Sequence, residues 1–517
     1  MKSNLVPRWT LVVRVVTAFA LCTIALGVNE AVATNVPSST GSWPYSNADL
    51  ANNRNATSST ITTANVSTLK KAWSFTLTGK ATKNVGGYGT LAATPIVVNG
   101  VVYIQDLHSN VYALSLATGK LEWSYLVDKK EKSGPGPNGV AVVDGAVYGA
   151  TPTNVFALNA KTGHKIWSNV QLLKKGQGTF GIQPQVADGR VYLASQYGDA
   201  SGGGVLLALN AATGALLWTF KTVPKSDPSI KKLGLGAGGA WETPLVSPDG
   251  SVTFGIGNPY QTLSSALTAP SKLLYTDSDV NLNAATGKLR WYYQGVPNDF
   301  KDYDMQASPI SVKANGVSVV IGGGKMGIVY EMNAASGKLI WKTPVGRHNG
   351  HDDDSLKALE GHSTLKVPFT YLPGSLGGIL TNMAVAGNAV YVVTDNFAFS
   401  FSNLDQAVGV NVGKKLAGEV EALNLVTGRV EWDTKVTGLP LGAATVSNNL
   451  VFTTLFQGDL LAFNRASGAI AFKQQLPRST NSPIAIAGNT VIVPVGGPKY
   501  GLGKGPPQIV AYRLSPA

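Results

Sequence analysis

The sequence predicts an all-β chain of repeated four-stranded units closed into a ring, and three observations carry that prediction. A motif of the form Ala-Leu-Asn-x-x-Thr-Gly-x-x-x-Trp recurs along most of the chain. Glycine and proline are abundant, at 59 and 27 residues, within a 44% hydrophobic composition, which suits many short strands joined by turns. The two ends of the chain carry complementary halves of one further repeat. At 517 residues the chain exceeds one ordinary core, yet a closed repeat array holds it as one domain.

The first stretch reads as a targeting segment. Lys2, Arg8 and Arg14 precede an apolar run at 15–28, and Ala31-Val-Ala33 supplies a small-residue cleavage site. This predicts a signal peptide at 1–33, a propeller domain at 34–517, and a periplasmic or secreted product. The run is short for a membrane span, so none is expected after processing. The single cysteine, Cys22, falls inside this segment. The remainder therefore has no disulfide, no thiolate metal site and no Cys-x-x-Cys-His haem attachment. The net charge of +13 is scattered rather than clustered, which favours acidic partners and solubility and nominates no nucleic acid.

The repeats follow in order, at 113–123, 157–167, 208–218, 281–291, 331–341, 422–432 and 462–472, the last with Phe472 in place of tryptophan. Each reads as a hairpin. The Asn or Thr side chain caps the turn, Gly takes positive φ, and the second strand carries the indole four residues later. Most units have another strand pair upstream, such as 93–104, and most successive motifs lie 40–51 residues apart. Four strands at that spacing make a propeller blade. The indole would fill the wedge between blades, its N–H reaching a neighbouring carbonyl. Trp73 near the start has no preceding half-hairpin, and Ala511 near the end has no following one. Joined, they complete an eighth blade from both termini and remove the open edges. The fold expected is an eight-bladed β-propeller.

Two intervals break the period: 73 residues separate Trp218 from Trp291, and 91 separate Trp341 from Trp432. Loops that depart from a repeat usually carry its specific function. The first holds Gly236-Ala-Gly-Gly-Ala-Trp241 and Gly255-Ile-Gly-Asn-Pro259; the second holds Arg347-His-Asn-Gly-His-Asp-Asp-Asp354, expected to be a solvated loop. Directly after the Trp291 hairpin, Asp299, Asp302 and Asp304 fall within six residues of a chain that is only 14% charged. Asp302 and Asp304, two apart, point the same way in an extended segment, about 7 Å apart. Such a pair repels unless a cation or water separates it.

The repeat resembles the tryptophan-docking motif of pyrroloquinoline quinone (PQQ) dehydrogenases over roughly residues 40–515, and the Trp43-Pro-Tyr-Ser opening is similar to the start of those mature enzymes. The resemblance implies that Asn258 is a metal ligand beside the cofactor. Asp302, the last residue of a segment like their Pro-His-Asp-x-Trp-Asp, would be the catalytic base and a further ligand. Asp199, after Tyr197-Gly, sits where the family has a glutamate ligand. Lys325 resembles the cation that hydrogen-bonds the quinone, and Trp241 the indole floor beneath it. Asp304, two beyond the base, resembles the pattern of lanthanide-dependent members. The metal is thus Ca²⁺ or a lanthanide ion. The 347–354 run is similar to that of the polyvinyl-alcohol dehydrogenase-like subgroup.

The residue types suit that chemistry. Asp199, Asn258 and Asp302 offer only oxygen donors, which fit a hard cation. Such a cation polarises a quinone as a Lewis acid, a carboxylate takes the alcohol proton, and Lys325 stabilises developing negative charge. Two departures stand out. The 134–139 run lacks the family's adjacent cysteines and following arginine, and Lys301 replaces its tryptophan, setting charge near the base. The expected function is an exported quinoprotein dehydrogenase for a small or polymeric alcohol, or an aldehyde. Having no haem motif, it would pass electrons to a separate acceptor such as a c-type cytochrome. The alternative is a non-catalytic propeller that binds proteins or envelope polymers.

Overall fold

The computed structural model describes residues 41–77, 89–127, 139–196, 203–410, 416–497 and 506–515. The segment expected to be a signal peptide and residues 134–138 lie outside the described residues. The described residues form eight four-stranded antiparallel sheets and one three-stranded sheet. The first seven blades run through the chain with first strands at Ile96–Val98, Ala141–Val143, Gln185–Ala187, Leu245–Ser247, Ile310–Ala314, Ala384–Ala386 and Thr445–Ser447. The eighth has Ala485–Ala487, Thr490–Val495 and Gln508–Leu514, and Leu69–Thr76 from the other end of the chain completes it. Trp73 stands opposite Ala511 in that closing pair, as expected. The first strands lie innermost and follow chain order around an axis, that of blade 8 beside that of blade 1.

One junction shows why this sequence makes blades. Asn283 Oδ1 accepts the N–H groups of Ala285 (3.1 Å) and Thr286 (2.9 Å), closing the turn. Gly287 follows at φ +68, and a Cβ there would meet Trp218 Cδ2 at 2.6 Å. The glycine thus both makes the turn and opens the seat for the indole of the preceding blade. Trp218 Nε1 donates to Ala284 O at 3.0 Å. Trp73, Trp123, Trp167, Trp291, Trp341 and Trp432 repeat the bond to the next blade at 2.8–3.2 Å. A large apolar ring whose N–H is satisfied thus fills seven junctions, buried or half-buried, and Phe472 stands in the remaining repeat.

The segment from Trp43 to Ala56 crosses the innermost strands, bonding Val97, Val246, Ser311, Val385 and Val446 in turn. Arg54, fully buried, bridges blades 7 and 8 by donating to Ala444 O (2.8 Å), Thr445 Oγ1 (2.8 Å) and Ile484 O (2.9 Å). The two long intervals hold the departures from the repeat. Helices α1 (Ser229–Leu233) and α2 (Leu263–Thr268) lie in the first. Helix α3 (Asp354–Leu359) and the three-stranded sheet of Phe369–Tyr371, Phe399–Phe401 and Ala407–Gly409 lie in the second.

Candidate active site

In an up-and-down blade, the loop between the second and third strands and the connection to the next blade emerge at the same end. Asn258 sits in the first kind of loop in blade 4 and Lys325 in that of blade 5. Trp241 lies on the connection into blade 4, and Asp299 to Asp304 on the connection from blade 4 to blade 5. Four loops distant in sequence therefore converge beside the axis.

They meet at one end of a cavity of about 410 Å³, lined by Trp241, Asp302, Asp304 and Lys325 among others. Lys325 Nζ lies 2.8 Å from Asp302 Oδ2 and 2.5 Å from Asp304 Oδ2. Asn258 sits behind the two carboxylates: its Nδ2 donates to Asp302 Oδ1 and to Asp304 Oδ1 (2.8 Å), and its backbone N–H also donates to Asp304 Oδ1 (2.8 Å). Asn258 Oδ1 accepts from Tyr260 N at 2.6 Å. Gly257 makes the close approach possible, because a Cβ there would meet Trp241 Cη2 at 2.5 Å and Asp304 Oδ1 at 2.7 Å. The indole and the carboxylates are neighbours for that reason. Tyr260 and Leu376, each 51% exposed, line the cavity toward solvent. The remaining wall mixes amides and hydroxyls, including Thr94, Gln183 and Asn382, with aliphatic residues such as Leu380 and Leu441, and carries one further carboxylate, Glu242.

The electrostatics are strained toward negative charge. Burial and then the Asp304 carboxylate push Asp302 up to about 7, against the pull of Lys325. Burial works against the Lys325 charge, but Asp304 and Asp302 outweigh it and hold its pKa above the ordinary value. Asp302 stands at φ +63, in the left-handed region that aspartate tolerates better than most residues. Of the site residues expected from sequence, Asn258, Asp302, Asp304, Lys325 and Trp241 come together; Asp199 lies outside the described residues.

One expectation is corrected and another holds only in part. Lys301 does not bring charge to Asp302: its Nζ turns toward Asp354 Oδ2, at 2.8 Å, away from the cavity. The 347–354 run is solvated only in part: Arg347, Asn349, Gly350 and Asp353 are exposed, whereas Asp354 is buried and His348 Nδ1 lies 2.8 Å from Asp352 Oδ1. Asp299, unassigned from sequence, caps its own segment by accepting Lys301 N (2.9 Å) and Tyr303 N (2.8 Å). Sequence reasoning also missed Asp277 and Asp279, both buried, with no hydrogen-bond partner at either carboxylate oxygen among the described residues. Burial, and then the charges of Asp299, Asp304 and Asp302, push Asp277 well above the carboxylate range. A signal was present in the repeats. Four residues before the turn Asn, this blade has Asp279 where the neighbouring blades have Val155, Leu206, Val329 and Val420.

The fold and this loop cluster define a propeller of the PQQ class. The profile of the glucose/ethanol/alcohol dehydrogenase β-propeller domain matches residues 43–141 and 174–347, and the chain belongs to that family. The profile of outer membrane protein assembly factor BamB matches residues 416–500. Among curated relatives, the quinohemoprotein alcohol dehydrogenase of Comamonas testosteroni is 26% identical over 351 residues, 60% of this chain and 48% of that protein. The quinoprotein alcohol dehydrogenase PedH of Pseudomonas putida is 25% identical over 466 residues, 78% of this chain and 77% of that protein. The chain spans about half the length of the first curated relatives it matches. The crystal structure of the Comamonas enzyme superposes with a TM-score of 0.78 at 22% identity, covering 92% of this chain and 80% of that one. A europium-containing methanol dehydrogenase gives 0.74 at 19%, covering 92% and 98%. These likenesses establish the fold.

Proposed function

We propose that the protein is an exported quinoprotein dehydrogenase that oxidises an alcohol or polyol, with Asp302 as the base. The observation that carries this reading is the convergence of Asp302, Asp304, Asn258 and Lys325 against Trp241 at one end of the axial cavity. Membership of the family and the quinoprotein alcohol dehydrogenases among its relatives support it.

The residues fit the two groups that this function requires. Trp241 offers a flat apolar floor, the cavity wall offers amide and hydroxyl donors, and Lys325 offers a buried cation. Asp302, Asp304, Asp299 and Asp277 crowd one side of the site, and among the described residues Lys325 is the cation paired with Asp302 and Asp304. Such an excess of oxygen donors suits a hard cation. Asp302, Asp304, Asn258 and Asp199 would hold it, Asn258 by a half-turn of its amide that releases the Tyr260 N–H. Bound there, PQQ supplies the hydride acceptor and the metal ion the Lewis acid that polarises it.

The chain's own residues do the rest. Asp302 takes the hydroxyl proton as hydride leaves the adjacent carbon, so the alcohol becomes an aldehyde or ketone. Lys325 keeps positive charge where negative charge develops and fixes one oxygen of the base. Trp241 would give the cofactor a flat apolar surface that orients it and excludes water. Asp304 adds a carboxylate to the set, which favours a trivalent lanthanide over Ca²⁺ by Coulomb attraction. A leader at 1–33 ahead of a propeller domain at 34–517, and a separate acceptor such as a c-type cytochrome, complete the reading.

Reconstitution with PQQ and either lanthanum or calcium tests it, followed by quinone absorbance and dye-linked alcohol oxidation. Activity is expected with lanthanum, and Asp302→Asn should lower kcat about 1000-fold while PQQ still binds. Full activity with calcium alone would sink the lanthanide assignment. Absence of PQQ binding at micromolar concentration would instead leave a non-catalytic propeller that binds proteins or envelope polymers, which the match over 416–500 favours.

A further inference from the structure

The segment that carries Asp302 and Asp304 is gripped by the long insertion between blades 5 and 6, and one side chain makes the grip ionic. Lys301 is 1% exposed. Its Nζ lies 2.8 Å from Asp354 Oδ2 and donates to His351 O. The ammonium also stands over the rings of Phe300, Tyr303 and Tyr371, at 5.3, 5.5 and 5.5 Å from their centroids. An ammonium stripped of water needs such a set of a carboxylate, a carbonyl and aromatic faces to stay charged.

The far end of this cage is itself held. Asp354 Oδ2 lies 2.8 Å from His351 Nδ1, and the His351 ring stacks on Phe369 at 5.1 Å and 30°. Phe369 belongs to the one strand that the insertion gives to the three-stranded sheet, whose other two strands come from blade 6, and Asp354 opens α3. Around the pin, neutral bonds tie the same segment down. Ser375 Oγ donates to Lys301 O at 2.9 Å, Tyr303 OH to Pro373 O at 2.5 Å, and Asn298 Nδ2 to Ala266 O of α2 at 3.1 Å. The backbone of residue 301 is thus fixed immediately before Asp302, whose positive φ gives it a narrow conformational well.

We propose that Lys301 is a positioning residue: its buried ion pair with Asp354 makes the insertion a clamp that sets the geometry of Asp302 and Asp304. The catalytic consequence rests on the reading of Asp302 as the base; the clamp itself does not. Lys301 faces away from the cavity and touches no reacting group.

Lys301→Met alone strands a buried carboxylate, so the informative variant pairs it with Asp354→Asn, which removes both charges and keeps both shapes. Three measurements are made on the full chain. Hydrogen exchange of the 298–304 amides should speed up about ten-fold in the paired variant, with the blade strands unchanged. Terbium luminescence sensitised by Trp241, which lies against Asp304, should report an affinity about ten-fold weaker. In the reconstituted enzyme kcat should fall about 100-fold with KM little changed, the signature of a displaced base rather than a lost binding contact. Unchanged exchange in the paired variant overturns the clamp. Faster exchange with unchanged kcat and terbium affinity overturns its positioning role. A wild-type protein that binds neither PQQ nor terbium refutes the proposed function instead, and the exchange data still decide the clamp.

Discussion

Single residues in this site are defined by what surrounds their charge. Asp302 and Asp304 stay together because Lys325 takes one oxygen of each and Asn258 the other. Both carboxylates, the amide and the lysine are legible as residue types in sequence, but their mutual distances are not. Lys301 shows the limit most clearly. From its position next to Asp302 it looks like a charge on the base, whereas its stem carries the ammonium into an aromatic cage on the other side. Glu242, on the cavity wall, carries a prediction at this scale. Burial raises it from 4.5 to about 7, although Asn382 Nδ2 donates to its Oε2 at 3.0 Å. Arg54 provides the nearby positive charge, and Asp302, Asp304 and Lys325 share the cavity. Between those pH values the folded state holds more protons than the unfolded one, so the carboxyl's contribution to stability is full at low pH and is lost as pH rises through about 7. Glu242→Gln keeps an oxygen for Asn382 and removes the titration. Urea midpoints should match wild type near about pH 4.5 and exceed it at about pH 8; equal midpoints at both would contradict this.

Elements divide into those that obey the repeat and those that leave it. The blade hairpins were legible because Asn, Gly and Trp lie within one short stretch whose geometry is local, and their repetition exposes the period. Gly287→Ala should destabilise by more than about 1 kcal/mol, since the new methyl both enters the Trp218 ring and sits at positive φ. Trp291→Ala removes a ring only 6% exposed and its bond to Ala334 O, and about 3–5 kcal/mol should be lost in urea unfolding. A loss under about 1 kcal/mol for Trp291→Ala would mean that the indole is not what fills that wedge. The inserted loops follow no period, so their contents could be read but not their contacts. The run at 347–354 is such a case: its exposed residues are solvated as expected, but His348 pairs with Asp352, and His351 and Lys301 with Asp354, so the loop is also an anchor.

At the scale of the molecule, closure is what gives the site a floor and a wall. Trp73 opposite Ala511 joins the ends of the chain in one sheet, and Arg54 bridges blades 7 and 8 from within. Deleting residues 508–517 would leave Leu69–Thr76 and Thr490–Val495 with unpaired edges. Loss of a cooperative melt and association of chains are then expected by light scattering, because open edges template pairing between molecules. A truncated chain that melts as sharply as the whole would show that closure is dispensable.

The sequence by itself determined the blade count, the termini that share a blade, and the kinds of side chain available for chemistry, because each follows from a local pattern repeated in register. Only the tertiary structure decided which of those side chains meet. Trp241, Asn258, Asp302 and Lys325 belong to four loops, and their convergence depends on loops of alternate strand connections emerging at one end of a closed ring. The same folding turns the Lys301 ammonium away from that cluster, where Asp354 of the insertion between blades 5 and 6 holds it.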